Sequence, residues 1–200
     1  MLSFLYKAFR RTGRRISGAF SHILTSLKFK GNSVEYKSFT TTGVPYVDVW
    51  RGGRFVAGDG LSLNNSTYGN PLGGSSRCVF VVSDKATLTL GRGVGISQAV
   101  IIAHDDITIG DNVKIGAGTK ILSTDFHSLD SETRRTDSEQ PACKPVCIGD
   151  DAFIGTGVTI LKGVKIGRRC IIGASAVVTR DVPEGEIWAG NPARKIGIAK

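Results

Sequence analysis

His127 is the residue whose position in the sequence most favours chemistry. It stands where a regular aliphatic pattern is due to continue, and a polar loop without that pattern, 128–145, follows it. Long loops extruded from a regular repeat are commonly functional. An imidazole has an unperturbed pKa of about 6.5, so it can accept and donate protons near neutral pH. We therefore place the candidate catalytic group at the base of this loop.

The elements that must position His127 recur every six residues. An aliphatic residue returns at each sixth position, and a small or branched residue lies four positions after it. Upstream, a seven-residue step from Ile102 to Ile109 indicates a one-residue bulge. The aliphatic set is Leu90, Ile96, Ile102, Ile109, Ile115, Ile121, Ile148, Ile154, Ile160, Ile166, Ile172 and Val178, and the second set is Ala152, Val158, Val164, Cys170, Ala176 and Val182.

A period of six is typical of parallel β-helices and differs from the 3.6-residue helical period and from strand alternation. It predicts an all-β fold: a left-handed parallel β-helix of hexapeptide repeats, with an N-terminal amphipathic helix and an extruded loop. Each hexad forms a short strand and a corner, and three hexads complete a coil whose aliphatic residues point inward. Glycine often follows the aliphatic residue, as at Gly149, Gly155, Gly167 and Gly173, and we expect positive φ at these corners.

The pattern divides the chain into four parts. We expect a basic amphipathic helix over 1–30, irregular early coils and a cap over 31–87, and the regular hexapeptide-repeat β-helix, with its loop 128–145, over 88–183. A C-terminal tail follows over 184–200, and the strands are expected to stop after Val178.

The excess positive charge belongs to the N-terminal helix. The chain has 26 basic and 17 acidic residues and a net charge of +9, and residues 1–30 hold seven of the basic residues and no acid. Apolar and basic side chains fall on opposite helix faces at 100° per residue. This favours contact with an anionic inner membrane leaflet, while packing on the β-helix or on a neighbouring subunit is the alternative. Nothing else supports nucleic-acid binding, and arginines interrupt any transmembrane or signal-peptide run.

The four cysteines predict neither a disulfide framework nor a metal site. No CxxC pair occurs, and Cys143 with Cys147 would be two ligands without nearby partners. Cys170 takes an inward position and is expected to be a small buried hydrophobe. We expect reduced thiols in a cytoplasmic protein, and no metal.

The loop at His127, the run 173–183 (GASAVVTRDVP) and the ending 190–194 (GNPAR) add to the repeats. Together, over roughly half of the chain, these features resemble the hexapeptide-repeat acyltransferases, which include galactoside and maltose acetyltransferases and many polysaccharide O-acetyltransferases. The repeats alone also occur in nucleotidyltransferase tails and γ-type carbonic anhydrases. A carbonic anhydrase of that type needs three histidines around zinc. The chain has only three histidines, and His22 lies outside the repeats, which argues against a carbonic anhydrase.

The resemblance implies a homotrimer with active sites between adjacent prisms. His127 takes the family's catalytic position, which implies a general base for an acceptor hydroxyl and an acid toward the departing CoA thiolate. Asp125 is expected to hold the acceptor or orient the imidazole, with a solvated corner carboxylate as the alternative. His104 and Gln98 are further candidates for contact with the acceptor. His22, on the polar face of the N-terminal helix, is expected to be a satisfied or exposed residue without a role in the chemistry.

Acetyl-CoA is the co-substrate that the resemblance implies. Backbone groups and basic side chains near the C-terminus would bind it. Phe153 stands where relatives often carry Trp, so the acyl end of the binding groove is expected to differ in shape. The positions that match the family's cofactor site are Gly155, Thr156, Ala174, Thr179, Arg180 and Arg194, with Lys195 as an addition.

The sequence therefore predicts an acetyl-CoA-dependent O-acetyltransferase that acts on a sugar hydroxyl in surface polysaccharide or lipopolysaccharide synthesis. We expect it in the cytoplasm, peripheral on the inner face of the membrane. The alternatives are acetylation of a small soluble acceptor, such as serine, an antibiotic or an amino sugar, and a non-catalytic β-helix that serves as a trimerisation scaffold.

Overall fold

The computed structural model describes residues 2–136 and 140–199, with side chains described from Ser17 onward. One α-helix, α1 (Leu2–Gly31), precedes a series of short strands. The strands are β1 (Glu35–Tyr36), β2 (Phe39–Thr42), β3 (Tyr46–Val49), β4 (Arg54–Ala57), β5 (Leu61–Asn64), β6 (Val79–Val82), β7 (Thr87–Leu90), β8 (Gly95–Ser97), β9 (Val100–Ala103), β10 (Ile107–Ile109), β11 (Lys114–Ile115), β12 (Lys120–Leu122), β13 (Val146–Ile148), β14 (Phe153–Ile154), β15 (Thr159–Ile160), β16 (Lys165–Ile166), β17 (Ile171–Ile172), β18 (Val177–Val178), β19 (Glu186–Ala189) and β20 (Arg194–Ile198).

Three sheets form the faces of a prism, and the chain visits them in rotation. The first sheet has the order β1-β4-β7-β10-β13-β16, the second β2-β5-β8-β11-β14-β17-β19-β20, and the third β3-β6-β9-β12-β15-β18. Neighbouring strands pair in parallel up to β19, and β20 returns antiparallel to it. The predicted parallel β-helix is confirmed.

Two edges of the prism carry the candidate site residues. The chain passes from the third sheet to the first at what we call the His127 edge, where the loop after β12 leaves and returns. It passes from the second sheet to the third at what we call the Gln98 edge, between β8 and β9.

The predicted inward stack is present from coil to coil. Ile121 of β12 pairs with Ile160 of β15, and both are fully buried. Burying an isoleucine stabilises the fold by about 1.5–3 kcal/mol, and repetition along the axis makes the stack the main source of stability. The residues four positions on are buried as well, including the Cys170 side chain.

The predicted frame is wrong at one position. Ile101, not Ile102, points inward and pairs with Ile121. Gln98 has a φ of 37°, and its corner is one residue shorter than the equivalent corner in the next coil. The following corner, at His104, is longer than a regular corner of the same edge. The predicted bulge therefore lies at the His127 edge, after β9.

The reason for the recurring glycines also differs from the prediction. Gly149, Gly155 and their equivalents are not among the residues with positive φ. A Cβ on Gly149 would lie 2.7 Å from the Arg168 backbone nitrogen, so glycine is required where successive coils approach closely. Positive φ occurs further round each corner, for example at Gly157 and Ser175.

The ladder extends beyond both predicted limits. The early coils are regular from β1 onward, apart from one excursion, 65–78, between β5 and β6. At the other end the strands do not stop after Val178, because β19 continues the second sheet and β20 closes it. The buried Trp188 side chain of β19 pairs with Ile172 and covers that end of the stack.

Helix α1 packs on the prism through a face that the apolar pattern did not predict. Thr25 and Phe29 are fully buried, and the Phe29 ring lies against Phe55 with centroids 6.1 Å apart. The predicted apolar face points away from the prism, with Phe20, Ile23 and Leu27 exposed at 62%, 58% and 60%. Among the described residues, α1 does not have an apolar stretch sufficient to cross a bilayer.

Candidate active site

The base of the His127 loop is a short antiparallel ladder. Thr124 pairs with Cys143, and the Asp125 amide donates to the Ala142 carbonyl at 3.1 Å. The Lys144 amide donates to the Ser123 carbonyl at 3.0 Å. The loop thus leaves and rejoins the prism at one point, and it presents His127 on the surface of the edge, where its side chain is exposed.

A buried serine fixes the long corner beside the loop. Ser123 is fully buried, and its Oγ accepts hydrogen bonds from the His104 and Asp105 amides, each at 2.9 Å. The same hydroxyl lies 3.0 Å from the Asp105 carbonyl, to which it donates. His104 is thereby held next to the base of the loop, and its ring centroid lies 6.0 Å from that of Phe126.

Asp125 is tied to the next coil. Its Oδ2 lies 2.8 Å from Nζ of Lys162, and both side chains are mostly buried. This ion pair fastens the loop base to the corner after β15, so the alternative of a freely solvated carboxylate does not describe Asp125. Contact of Asp125 with the acceptor, or with the imidazole, stays a prediction.

Phe126, which sequence reasoning missed, has a strained backbone. Its φ is 63°, and its amide donates to Thr124 Oγ1 at 3.0 Å. A bulky residue in the left-handed region costs energy that the surroundings must offset, and such residues cluster at functional sites. The strained turn immediately precedes His127 and sets the direction in which the loop begins.

Gln98 lies under the excursion on the other edge. Its side chain is buried, and Nε2 donates to the carbonyls of Ser66 and Asn70 at 3.1 and 2.8 Å. The side chain therefore holds the excursion onto the prism. Direct contact between Gln98 and an acceptor receives no support from this position, because protein backbone covers the amide.

The excursion overhangs a cleft of about 400 Å³ on the second sheet. Polar side chains line its floor, where Asn64 Nδ2 donates to Ser97 Oγ at 3.0 Å. Thr156, a predicted cofactor residue, and the half-exposed Phe153 ring line its far side. The cleft is large enough to hold part of an extended ligand beside the Gln98 edge.

The predicted cofactor residues divide between the two edges and one end of the prism. Gly155, Thr156 and Ala174 lie on the Gln98 edge, and Thr179 and Arg180 lie on the His127 edge. A Cβ on Gly155 would lie 2.7 Å from the Ala174 nitrogen, so close packing between coils already accounts for this glycine.

Cations gather at the C-terminal end. The Arg180 guanidinium lies over the Trp188 ring, 5.5 Å from its centroid, and Arg194 is exposed at the start of β20. Lys195 Nζ lies 2.7 Å from Glu186 Oε1. The hydrogen bond from Lys195, followed by that from the Trp188 indole, holds the pKa of the Glu186 carboxyl below its usual range. Lys195 thus has an acidic partner within the chain, whereas Arg180 contacts the Trp188 ring and Arg194 donates to the Ala193 carbonyl at 2.8 Å, and both arginines are exposed.

Cys143 takes part in the loop base through its backbone, whereas the Cys78 and Cys170 side chains are buried in the core of the prism. Burial raises the pKa of the Cys78 thiol to about 12, so it is not a nucleophile at neutral pH. Cys170 is buried in the stack, as predicted. Within residues 2–136 and 140–199, no three side chains of the metal-binding types come together.

Sequence reasoning missed Trp50 and Lys162 as neighbours of this site. Trp50 follows β3, and its ring centroid lies 5.8 Å from that of His104. Coil stacking alone brings these distant positions together. For Lys162 the sequence did carry a signal. This charged residue lies two places after the inward Ile160, at the corner one coil beyond Asp125, where it could have been predicted to pair with that carboxylate.

The geometry defines a left-handed β-helix of hexapeptide repeats that presents a histidine loop on one edge and a cleft on another. Residues 148–180 match the family profile described as "Bacterial transferase hexapeptide (six repeats)", and residues 90–123 match "Hexapeptide repeat of succinyl-transferase". The predicted resemblance to hexapeptide-repeat acyltransferases is thereby confirmed.

Individual relatives agree with these profiles. The hexapeptide-repeat-containing acetyltransferase of Vibrio cholerae is 39% identical, covering 56% of this chain and 63% of that chain, with a TM-score of 0.53. A maltose O-acetyltransferase of Clostridium difficile is 26% identical, with coverage of 80% and 71% and a TM-score of 0.52. The tetrahydropyridine-2,6-dicarboxylate N-acetyltransferase of Staphylococcus aureus is 39% identical over 44% of this chain. The match spans 32% of that relative's own length, so the chain corresponds to only part of it.

Proposed function

We propose that the protein is an acetyl-CoA-dependent O-acetyltransferase that acts on a sugar hydroxyl, with His127 as the general base. The observation that carries the proposal is the exposed histidine on a loop that a buried serine, a strained turn and the Asp125–Lys162 ion pair hold to the prism edge. A scaffold that only assembles subunits has no need of such a loop.

Relatives support both halves of the reaction. The Vibrio cholerae protein has been crystallised in complex with acetyl coenzyme A, and the Clostridium difficile relative is a maltose O-acetyltransferase. The Staphylococcus aureus relative transfers acetyl to nitrogen, which makes an amine the second candidate acceptor. We favour a hydroxyl because His127 supplies the base that a hydroxyl nucleophile needs.

The reaction needs one proton to move twice. The acceptor oxygen attacks the thioester carbonyl while the imidazole of His127 takes its proton, and the C–S bond then breaks. The imidazolium returns the proton to the CoA thiolate, which leaves acetylated acceptor, free CoA and neutral histidine. An oxyanion forms between these steps, and a backbone N–H near the loop would stabilise it.

A homotrimer would bring the two halves of the site together. In one chain His127 and the cleft lie on different edges of the prism. If the His127 edge of one copy faces the Gln98 edge of the next, the imidazole meets Thr156 and the cleft from a neighbour. Such a closed ring of three copies has three equivalent sites.

The proposed function is tested by thiol release from acetyl-CoA against a fixed set of acceptors. The set contains glucose, maltose, maltotriose, N-acetylglucosamine and its dimer and trimer, nucleotide sugars, lipid-linked sugars and serine. We expect thiol release with at least one sugar and acetyl ester in the product. Acetyl amide as the product would favour N-transfer, and no release with any acceptor would leave the scaffold alternative.

Arg180 and Arg194 are proposed to bind the phosphates of CoA. Removing both by Arg180→Ala and Arg194→Ala should raise the KM for acetyl-CoA about 100-fold, because each hydrogen bond to a charged group contributes about 1.5–3 kcal/mol. The KM for acceptor should change little. Steady-state kinetics measures both constants, and the matched control is Arg168→Ala with Arg169→Ala, which removes two exposed arginines from another edge. Equal effects of the two pairs would show that general charge, not a site, was lost.

We also propose that α1 places the enzyme on an anionic membrane surface, at the inner face of the cytoplasmic membrane. The outward stripe of Phe20, Ile23 and Leu27 is apolar, and residues 1–30 carry +7 with no acid. Apolar insertion and attraction to anionic headgroups then act together, with about 1 kcal/mol for each basic residue near the surface. Packing of the same apolar stripe on a neighbouring subunit is the alternative, and the oligomeric state of the variant described below distinguishes the two.

The membrane proposal is tested by sedimentation of the full-length protein with vesicles. The triple variant Phe20→Ser, Ile23→Ser and Leu27→Ser should bind phosphatidylglycerol vesicles about 100-fold more weakly, at roughly 1 kcal/mol for each partly inserted side chain. The fold should be kept, because all three side chains are exposed. The control variant Ile196→Ser with Ile198→Ser removes apolar surface from β20. Unchanged binding by the triple variant, or loss of the trimer without loss of binding, would contradict the proposal.

A further inference from the structure

Three aromatic rings lie in a row along the His127 edge. The His104 ring is in the middle, with its centroid 5.8 Å from that of Trp50 and 6.0 Å from that of Phe126. Both outer rings are half exposed, Trp50 at 45% and Phe126 at 40%. None of the three side chains belongs to the buried stack, so packing of the core does not require them.

Coil stacking builds the row from separate parts of the chain. Trp50 follows β3, β3 pairs with β6, and β6 pairs with β9, which leads to His104. The Trp50 amide donates to the Val82 carbonyl at 2.8 Å, and its indole N–H lies 3.3 Å from Asp48 Oδ2. The indole is therefore anchored at its polar end while the rest of the ring remains open to solvent.

The row ends at the catalytic candidate. Phe126 is held in the left-handed region by its bond to Thr124 and directly precedes His127. A strained, exposed phenylalanine offers no gain to folding, since burying the ring elsewhere would be more stable. The energetic cost of the strained and exposed Phe126 is explained if a ligand covers its ring during function.

We propose that Trp50, His104 and Phe126 form an acceptor subsite that holds consecutive sugar rings of a glycan chain and delivers one hydroxyl to His127. This inference rests on the proposed sugar O-acetyltransferase activity. An aromatic face carries negative partial charge, and it attracts the weakly positive C–H groups on the flat side of a pyranose. Asp84 and Asp105, in the corners along the same edge, supply carboxylates for sugar hydroxyls.

The size of the row selects the class of acceptor. A small acceptor such as serine would contact one ring and leave the others unused. The half-exposed Trp50 and Phe126 rings lie on either side of His104 and provide contacts for successive sugar units. The subsite therefore fits an oligosaccharide or a longer glycan, and it predicts that turnover improves with the length of the acceptor.

The test compares acceptor series of increasing length. We expect kcat/KM to rise from glucose to maltotriose, or from N-acetylglucosamine to its trimer, in whichever series is accepted. Trp50→Ala should raise the KM for the trisaccharide about 10-fold, as expected for one lost aromatic contact, while the KM for acetyl-CoA does not change. Tyr46→Ala is the matched control, because Tyr46 begins β3, the strand that Trp50 follows, and is 43% exposed but lies outside the row. Equal turnover of single sugars and trisaccharides, or equal effects of the two variants, would overturn the subsite.

Binding measured by tryptophan emission separates this inference from the proposed function. Trp50 is half exposed and Trp188 is buried, so a bound trisaccharide should alter the emission of the wild-type protein and not that of Trp50→Phe. Such a change without acetyl transfer would support the subsite and overturn the proposed function. Acetyl transfer that is insensitive to Trp50→Ala would support the proposed function and overturn the subsite. If the emission does not change and no acetyl transfer occurs, both the subsite and the proposed function are overturned.

Discussion

His127→Ala is expected to abolish acetyl transfer while acetyl-CoA still binds. Loss of a general base typically lowers the rate by 10²–10⁴-fold, and the neighbouring His104 is assigned to binding of the acceptor. The predicted contacts with CoA come from Arg180, Arg194 and the Gln98 edge, none of which involves the imidazole. The measurement is kcat by thiol release, together with the Kd for acetyl-CoA by calorimetry.

Two further variants make this result specific. His127→Asn keeps a hydrogen-bonding side chain of similar length but no base, so it should be as inactive as His127→Ala while the loop keeps its contacts. His104→Ala should retain turnover at saturating acceptor and change chiefly the acceptor KM, because His104 is assigned to binding. If His127→Ala stays active and His104→Ala does not, the base is His104 and the assignment made from the loop is wrong.

The periodic part of the fold could be predicted because every inward position sees the same environment. Each hexad places one aliphatic side chain on the axis, so Ile148 to Val178 could be identified without any long-range information. The corners are not periodic, and this is where the frame failed. A left-handed turn at Gln98 moves Ile101 inward in place of Ile102. The apolar stripe of α1 was also identified, but the pattern could not tell that Phe29 and Thr25 would face the prism instead.

The candidate site was only partly visible in the sequence. His127 could be found because it interrupts the pattern and opens a polar loop. Trp50 could not, because its nearness to His104 depends on how far the chain advances between coils, and the excursion 65–78 changes that distance. Lys162 was missed as the partner of Asp125 because the loop 128–145 separates the two residues in the sequence.

Gly149→Ala is expected to be strongly destabilising although Gly149 lies away from the site. The added Cβ would lie 2.7 Å from the Arg168 nitrogen and 2.9 Å from the Gly167 carbonyl carbon. Backbone cannot rotate away as a flexible side chain can, so neighbouring coils must separate and weaken the bond from the Gly149 amide to the Ile166 carbonyl. We expect a loss of about 3 kcal/mol in the free energy of unfolding, measured by urea denaturation at fixed protein concentration because the proposed homotrimer would make stability depend on concentration.

Two glycines with different surroundings separate the possible causes. Gly118 has a φ of 73° and no close backbone contact, so Gly118→Ala tests the cost of the left-handed conformation alone, about 1–2 kcal/mol. Gly18 lies within α1 with nothing within 4 Å of a new Cβ, so Gly18→Ala should stabilise the helix by about 0.5–1 kcal/mol. If Gly118→Ala costs more than Gly149→Ala, positive φ is the dominant constraint after all. The expected order places close approach between coils first, because a clash of backbone with backbone propagates along the ladder whereas a strained φ stays within one corner.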